Sequence, residues 1–114
     1  MEKIVEQAML YDFYGELLND HQKMIFEEYV LDNLSLSEIA EEQGTSRQAV
    51  HDIIKRTDRA LCEYEEKLHL VRKFNSVRES VSEIGKIASQ IDGTANKDRA
   101  DRIIAMTEAI VDEL

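Results

Sequence analysis

Seven polar side chains fall within one short stretch of this 114-residue chain: Ser46, Arg47, Gln48, His51, Lys55, Arg56 and Arg59. Their types suit a polyanion that also presents planar hydrogen-bonding edges. An arginine offers guanine two parallel N–H donors, and a glutamine amide matches the donor–acceptor pair of adenine. Arg47, Gln48 and His51 are therefore the candidates for DNA base contacts. Ser46, Lys55, Arg56 and Arg59 are the candidates for phosphate contacts, which position a protein without reading sequence.

Such side chains read nothing unless one helix presents them together. Residues 35–59 run SLSEIAEEQGTSRQAVHDIIKRTDR, and the spacing predicts a helix, a three-residue turn and a second helix. Ser35 with Glu38 three residues later makes a capping box for the first helix. Gly44 stands where the chain reverses and a left-handed backbone is needed. Ser46 is placed to cap the second helix. Val50, Ile53 and Ile54 recur at helical spacing and pack back on Ile39 and Ala40. The predicted core of the motif is Ile39, Ala40, Gly44, Val50 and Ile53. This helix-turn-helix is the device that sets an exposed helix in the major groove. A plain helical hairpin with a solvated charged face is the competing reading, because fold does not dictate function.

The rest of the chain predicts an all-α fold: there is no proline and there are only four glycines. A first helix spans about 2–17, with Ile4, Val5, Ala8, Tyr11 and Leu18 near one side. Asn19 reads as an N-cap, with Gln22 three residues on, and a second helix runs to about Asp32. It turns Ile25, Phe26, Tyr29 and Val30 inward and completes a trihelical unit with the two helices of the motif. Leu61, Tyr64, Leu68 and Val71 extend the last of these like a coiled-coil seam. A new stripe at Phe74, Val77, Val81, Ile84, Ala88 and Ile91, with Ser76 and Glu79 as a capping pair, predicts a break near residues 73–76. Asp92-Gly93 ends that helix, and a last one covers about Lys97 to Glu113. The expected organisation is a helix-turn-helix domain over 1–73, including the N-terminal helix, and a two-helix appendage over 74–114. The appendage's apolar stripes predict either a homodimer, the habit of DNA readers with two half-sites, or a fold-back onto the N-terminal helix.

The net charge is −10, which opposes indiscriminate DNA binding. Its distribution is uneven: residues 1–43 carry −9, residues 44–73 carry +2 and residues 74–114 carry −3. The only positive segment holds the proposed reading helix. Charges beyond ~8 Å are largely screened at physiological salt, so a distant acidic face is tolerable. The same acidity suits a basic protein partner or ribonucleoprotein.

Other chemistry finds no foothold. His21, His51 and His69 have no metal-type spacing to each other or to Cys62. No glycine-rich phosphate loop and no nucleophile constellation appear. Neither a cofactor, a metal, a small-molecule substrate nor an enzymatic activity is expected. The single cysteine excludes an internal disulfide and predicts a reducing, cytoplasmic setting, with Cys62 a small, partly buried apolar side chain. The first twenty residues lack the basic start of a secretory signal. No apolar run approaches the ~20 residues of a membrane span.

Two resemblances sharpen this reading. The block from about Leu18 to Leu61, with its LND–Q start, LSLSEIAEEQGTSRQAV core and following Lys55-Arg56, resembles the fourth region of bacterial sigma factors, which recognises promoter DNA. Gln43 and Thr45 depart from the apolar residues usual around the turn glycine and predict a looser or more polar corner. Asp52 puts a negative charge on the reading face. Over its whole length, most clearly in LYDFYGELLNDHQKMIFEEYVLDNLSLSEIAEEQGTSRQAVHDIIKR and LCEYEEKLHL, the chain resembles the small YlxM-like proteins of Gram-positive bacteria. That resemblance implies a non-catalytic helix-turn-helix protein. The genes of that family lie beside those of the signal recognition particle GTPases, which implies a role in that targeting pathway. Two functions follow: a DNA-binding regulator, with protein-targeting genes as its candidate targets, or an interaction module that docks a basic partner such as the signal recognition particle.

Overall fold

The computed structural model describes residues 3–91 and 93–114, excluding the side chains of residues 94 and 95. Six α-helices are found among these residues: α1 Lys3–Tyr14, α2 Asp20–Val30, α3 Leu36–Gln43, α4 Arg47–Leu68, α5 Leu70–Ser89 and α6 Thr94–Glu113, with a short 3₁₀ turn at Gly15–Leu17. The chain divides into two compact units, one ending at Val71 and the other running Arg72–Leu114.

Local chemistry sets the helix starts. Asn19 and Ser35 head full capping boxes with Gln22 and Glu38, and in each the side chain and the backbone bond reciprocally. Ser46 caps α4 by accepting the Ala49 N–H at 3.1 Å. Each such cap contributes about 1 kcal/mol, since it satisfies backbone donors that have no partner inside the helix.

The core of the first unit gathers Tyr14, Leu18, Ile25, Phe26, Val30, Ile39, Ala40, Val50, Ile54 and Leu61. Helix α4 supplies Val50, Ile54, Thr57 and Leu61, a 4-3-4 spacing that keeps one face inward. Thr57 is fully buried, and its hydroxyl is satisfied by the Ile53 carbonyl at 2.8 Å. Ile53 itself sits at the edge of the core.

The expected trihelical unit is joined by α1. Gln7 Nε2 donates to Asp58 Oδ1 at 3.2 Å, and Tyr14 Oη donates to Glu65 Oε1 at 2.5 Å. Both pairs span 51 residues, so α1 and α4 run parallel in matched register. The buried face of α1 is Gln7 and Tyr14; Ile4 and Val5, expected near the packed side, are exposed. Tyr11 stacks on Phe26 with ring centroids 5.7 Å apart and donates to Glu27. Gly15 permits this closeness: a Cβ there would stand 3.1 Å from the Tyr11 ring.

The helix break expected at residues 73–76 lies elsewhere. Helix α5 is continuous through those positions, and the chain breaks at His69, whose φ of 57° is left-handed. The His69 N–H bonds the Glu65 carbonyl at 2.8 Å and closes α4. Tyr14 Oη then accepts the Leu70 N–H at 3.1 Å, and Glu65 Oε1 accepts the Val71 N–H at 2.9 Å. A tyrosine from α1 and a glutamate from α4 thus supply the cap that starts α5. Burial and the Glu65 carboxylate push the Tyr14 phenol above its ordinary range.

The second unit holds α5 from Arg72 onward together with α6, and among its described residues it is buried at Val81, Ala88, Ala100 and Thr107. Helix α5 ends at Ser89, and α6 begins at Thr94, three residues before the expected start. Gly93 is its N-cap, at a φ of 99°. The Asp92 half of the predicted Asp92-Gly93 stop lies outside the described residues.

Candidate nucleic-acid interface

The corner that aims α4 is closed by backbone atoms. Gly44 has a φ of 67°, its N–H bonds the Glu41 carbonyl at 3.3 Å, and the Thr45 N–H bonds the Ala40 carbonyl at 3.0 Å. This 6→1 and 5→2 pair is the Schellman closure of a helix, and it needs a left-handed residue at Gly44's position. The corner is therefore tight despite Gln43 and Thr45. Gln43 lays its amide 3.9 Å from the Met24 sulfur, a weak polar contact.

With Val50, Ile54, Thr57 and Leu61 turned inward, the outward arc of α4 follows from its 100° step per residue. Gln48, Asp52, Lys55 and Arg59 lie along its middle, with Arg47, His51 and Arg56 on its flanks. Ser46, Arg47, Gln48, His51, Lys55, Arg56 and Arg59 are all exposed.

Asp52 organises the centre of this surface. Its Oδ1 accepts the Gln48 amide at 3.0 Å and lies 3.7 Å from His51 Nδ1. Two of the three side chains assigned to base edges are thus oriented toward one carboxylate. Its charge offsets one of the four cations Arg47, Lys55, Arg56 and Arg59. Ser46 has committed one acceptor to capping α4 and keeps its hydroxyl proton for a phosphate oxygen.

One cation was invisible to the sequence pattern. A groove of about 440 Å³ between α1 and α4 is lined by Lys3, Gln7, Tyr29, His51, Lys55 and Asp58, among others. It brings Lys3 beside the reading helix. Nothing local could signal this, since Lys3 opens an otherwise acidic segment and reaches α4 only through the parallel docking of α1.

Cys62, expected to be partly buried, is exposed on α4. Desolvation, aided by Asp58 and Glu6, holds its thiol above the ordinary range, which opposes reactivity. Among the described residues no cluster of histidine, cysteine, aspartate or glutamate could hold a metal ion. None of the described helices is long and apolar enough to cross a membrane.

Comparison with known proteins places this geometry in a family. The family model described as "Putative helix-turn-helix protein, YlxM / p13 like" matches residues 1–102. The UPF0122 protein YlxM of Bacillus subtilis is 42% identical over 110 residues, covering 96% of this chain and 94% of that protein. A UPF0122 protein of Shouchella clausii is 44% identical over 104 residues, covering 90% and 95% of the two chains. One from Bacillus velezensis is 41% identical over 110 residues, covering 96% and 94%. With its tight Gly44 corner, outward α4 and relatives alike from end to end, the chain belongs to the UPF0122 family of YlxM/p13-like helix-turn-helix proteins.

Proposed function

We propose that this protein is a cytoplasmic, non-enzymatic DNA-binding regulator whose α4 enters the major groove in the manner of sigma region four. The observation that carries the reading is the exposed outward arc of α4, which follows the Gly44 corner and bears Arg47, Lys55, Arg56 and Arg59. Arg47, Gln48 and His51 meet base edges in this reading; Ser46, Lys55, Arg56 and Arg59 hold phosphates, with Lys3 as a further contact from α1. Regulation of protein-targeting genes is the natural setting, given the gene neighbourhood that the YlxM-like resemblance implies.

The test is a titration of labelled duplex DNA with the full chain at low salt, followed by fluorescence anisotropy. Binding at micromolar protein that weakens linearly in log–log salt plots is expected, with a slope of about −0.9 per phosphate contacted. No binding under those conditions overturns this reading.

A second reading is supported by Asp52, an acid in the middle of the surface that should meet a polyanion. Together with the −9 carried by residues 1–43, it favours an interaction module that docks a basic protein or ribonucleoprotein, the signal recognition particle being the natural candidate. Retention of purified particle components by the immobilised chain, alongside a failed DNA titration, supports that alternative.

A further inference from the structure

The second unit buries little of what it could bury. Among its described residues, Val81, Ala88, Ala100 and Thr107 are buried, and Val81 is the largest apolar side chain of the four. Gly85 faces Thr107: a Cβ on the glycine would lie 3.5 Å from Oγ1. The α5–α6 seam sets Val81, Gly85 and Ala88 against Ala100, Ile104, Thr107 and Val111, with Ile104 and Val111 only half-buried. Two helices sharing so thin a seam do not offset the backbone entropy of 20 ordered residues each.

Each helix also carries a second stripe. On α5 it is Val77, Ile84 and Ile87, continued by Ile91; on α6 it is Ile103, Met106 and Ile110, continued by Leu114. All are exposed, between 38% and 64%. Both stripes follow the 3-4 spacing of coiled-coil seams, and each lies about 90° around its helix from the buried seam. Because α5 and α6 are antiparallel across a short connection, the two offsets fall on the same side of the hairpin. They make one largely apolar face, interrupted by Ser80 on α5 and bordered by Arg99 one turn before Ile103 on α6. On the opposite side a groove of about 460 Å³ is floored by the seam residues Val81, Gly85, Ile104, Thr107 and Val111, and rimmed by Arg78 and Lys86 from α5 and Glu108 and Asp112 from α6.

A helix with two adjacent heptad seams has two neighbours to pack against, which is the pattern of a four-helix bundle. The hairpin supplies one neighbour per helix, and the geometry points to a second copy of this chain as the source of the other: two hairpins face to face, related by a two-fold axis. A two-helix apolar face is complementary to itself across a two-fold axis. The amount also fits. The eight side chains expose on the order of 600 Å² per chain, so pairing removes about twice that, at the lower end of the roughly 1,200–2,000 Å² of specific interfaces. This inference is independent of the DNA reading.

The test is the solution mass of the full chain at tens of micromolar, by light scattering after gel filtration. The expected mass is twice the 13.2 kDa of one chain; a monomer overturns the proposal. The double variant Ile87→Lys/Met106→Lys should raise the dimer dissociation constant about a hundredfold or more, because it buries unpaired charge. Ser82→Lys, on the groove side of the hairpin, should leave the dimer intact. A dimer that survives the double variant overturns the assignment to this face. Amide exchange on the wild-type chain guards against a misfolded variant. On dilution below the dissociation constant, α5 and α6 should lose protection while α2, α3 and the first half of α4 keep theirs. Protection of α5 and α6 that is indifferent to dilution also overturns the proposal.

Discussion

Gln48 donates its side-chain amide to Asp52 one helical turn later, at 3.0 Å, across the middle of the surface offered to DNA. A reading side chain is thereby held by an acid of its own helix. The same carboxylate repels phosphate. At ~4 Å in water a unit charge pair is worth about 1 kcal/mol, so Asp52→Asn should tighten duplex binding about fivefold at low salt. Anisotropy titrations of the two proteins decide it. Weaker binding by the variant would mean that Asp52 orients Gln48 for the groove.

Arg47 and Lys55 should respond differently to truncation. Arg47→Ala is expected to remove about 1–3 kcal/mol from binding to a preferred sequence while sparing random DNA. Lys55→Ala should weaken every sequence alike and reduce the salt slope by about 1. Competition titrations with specific and random duplexes separate the two roles. A uniform loss for Arg47→Ala would reassign that residue to the backbone.

Removal of the Tyr14 hydroxyl should loosen the first unit. It donates to Glu65 and accepts the Leu70 N–H, and the residue is 1% exposed. Tyr14→Phe leaves the Leu70 N–H without its acceptor and takes one of Glu65's donors, and should cost about 1–3 kcal/mol in urea unfolding. A loss within error of zero would show that water replaces the phenol there.

Glu28 sets a pH dependence. One of its carboxylate oxygens is buried with no hydrogen-bond partner. Burial raises its pKa, with Glu42 and Asp32 adding repulsion. The folded state therefore holds this proton more tightly than the unfolded chain. The group's stabilising contribution is fully present below the ordinary carboxylate value of ~4.3 and is lost as pH rises through the raised one. Glu28→Gln should flatten that decline and add about 1 kcal/mol at neutral pH. Unfolding free energies at several pH values test this; an unchanged slope would exonerate Glu28.

Two of the left-handed corners, at Gly44 and His69, should answer oppositely to glycine chemistry. Gly44→Ala meets no atom within 4 Å of the added Cβ, yet its φ of 67° makes the variant about 1–2 kcal/mol less stable. His69 already bears a side chain at φ 57°, so His69→Gly should be neutral or stabilising by up to ~1 kcal/mol. Thermal melts of the two variants suffice, and destabilisation by His69→Gly would show that the imidazole holds the break.

The helix-turn-helix was legible in the chain because its signals are local. Ser35 with Glu38, Gly44 and Ser46 each act within a few residues, and the inward Val50 and Ile54 repeat at one period. What escaped was tertiary. The apolar stripe from Leu61 to Val71 runs smoothly through His69, so nothing in the pattern announces a break there; the break depends on a tyrosine 55 residues earlier. Gln7 and Thr57 are polar yet buried, since Asp58 and the Ile53 carbonyl satisfy them. Ile4 and Val5 obey the helical period but precede the turn of α1 that Gln7 seats on α4. At the candidate site the seven surface residues were recoverable from helical geometry alone. Their entanglement with Asp52, and the approach of Lys3, were not.

The bend between α3 and α4 is held by main-chain atoms, with one glycine as the only residue its shape demands. The side chains just beyond it, Thr45, Arg47 and Gln48, therefore support no part of the architecture they ride on. Mutation can rewrite that trio freely while the scaffold stays in place. Among descendants of such a protein, the preferred ligand can diverge generation by generation while melting behaviour scarcely moves.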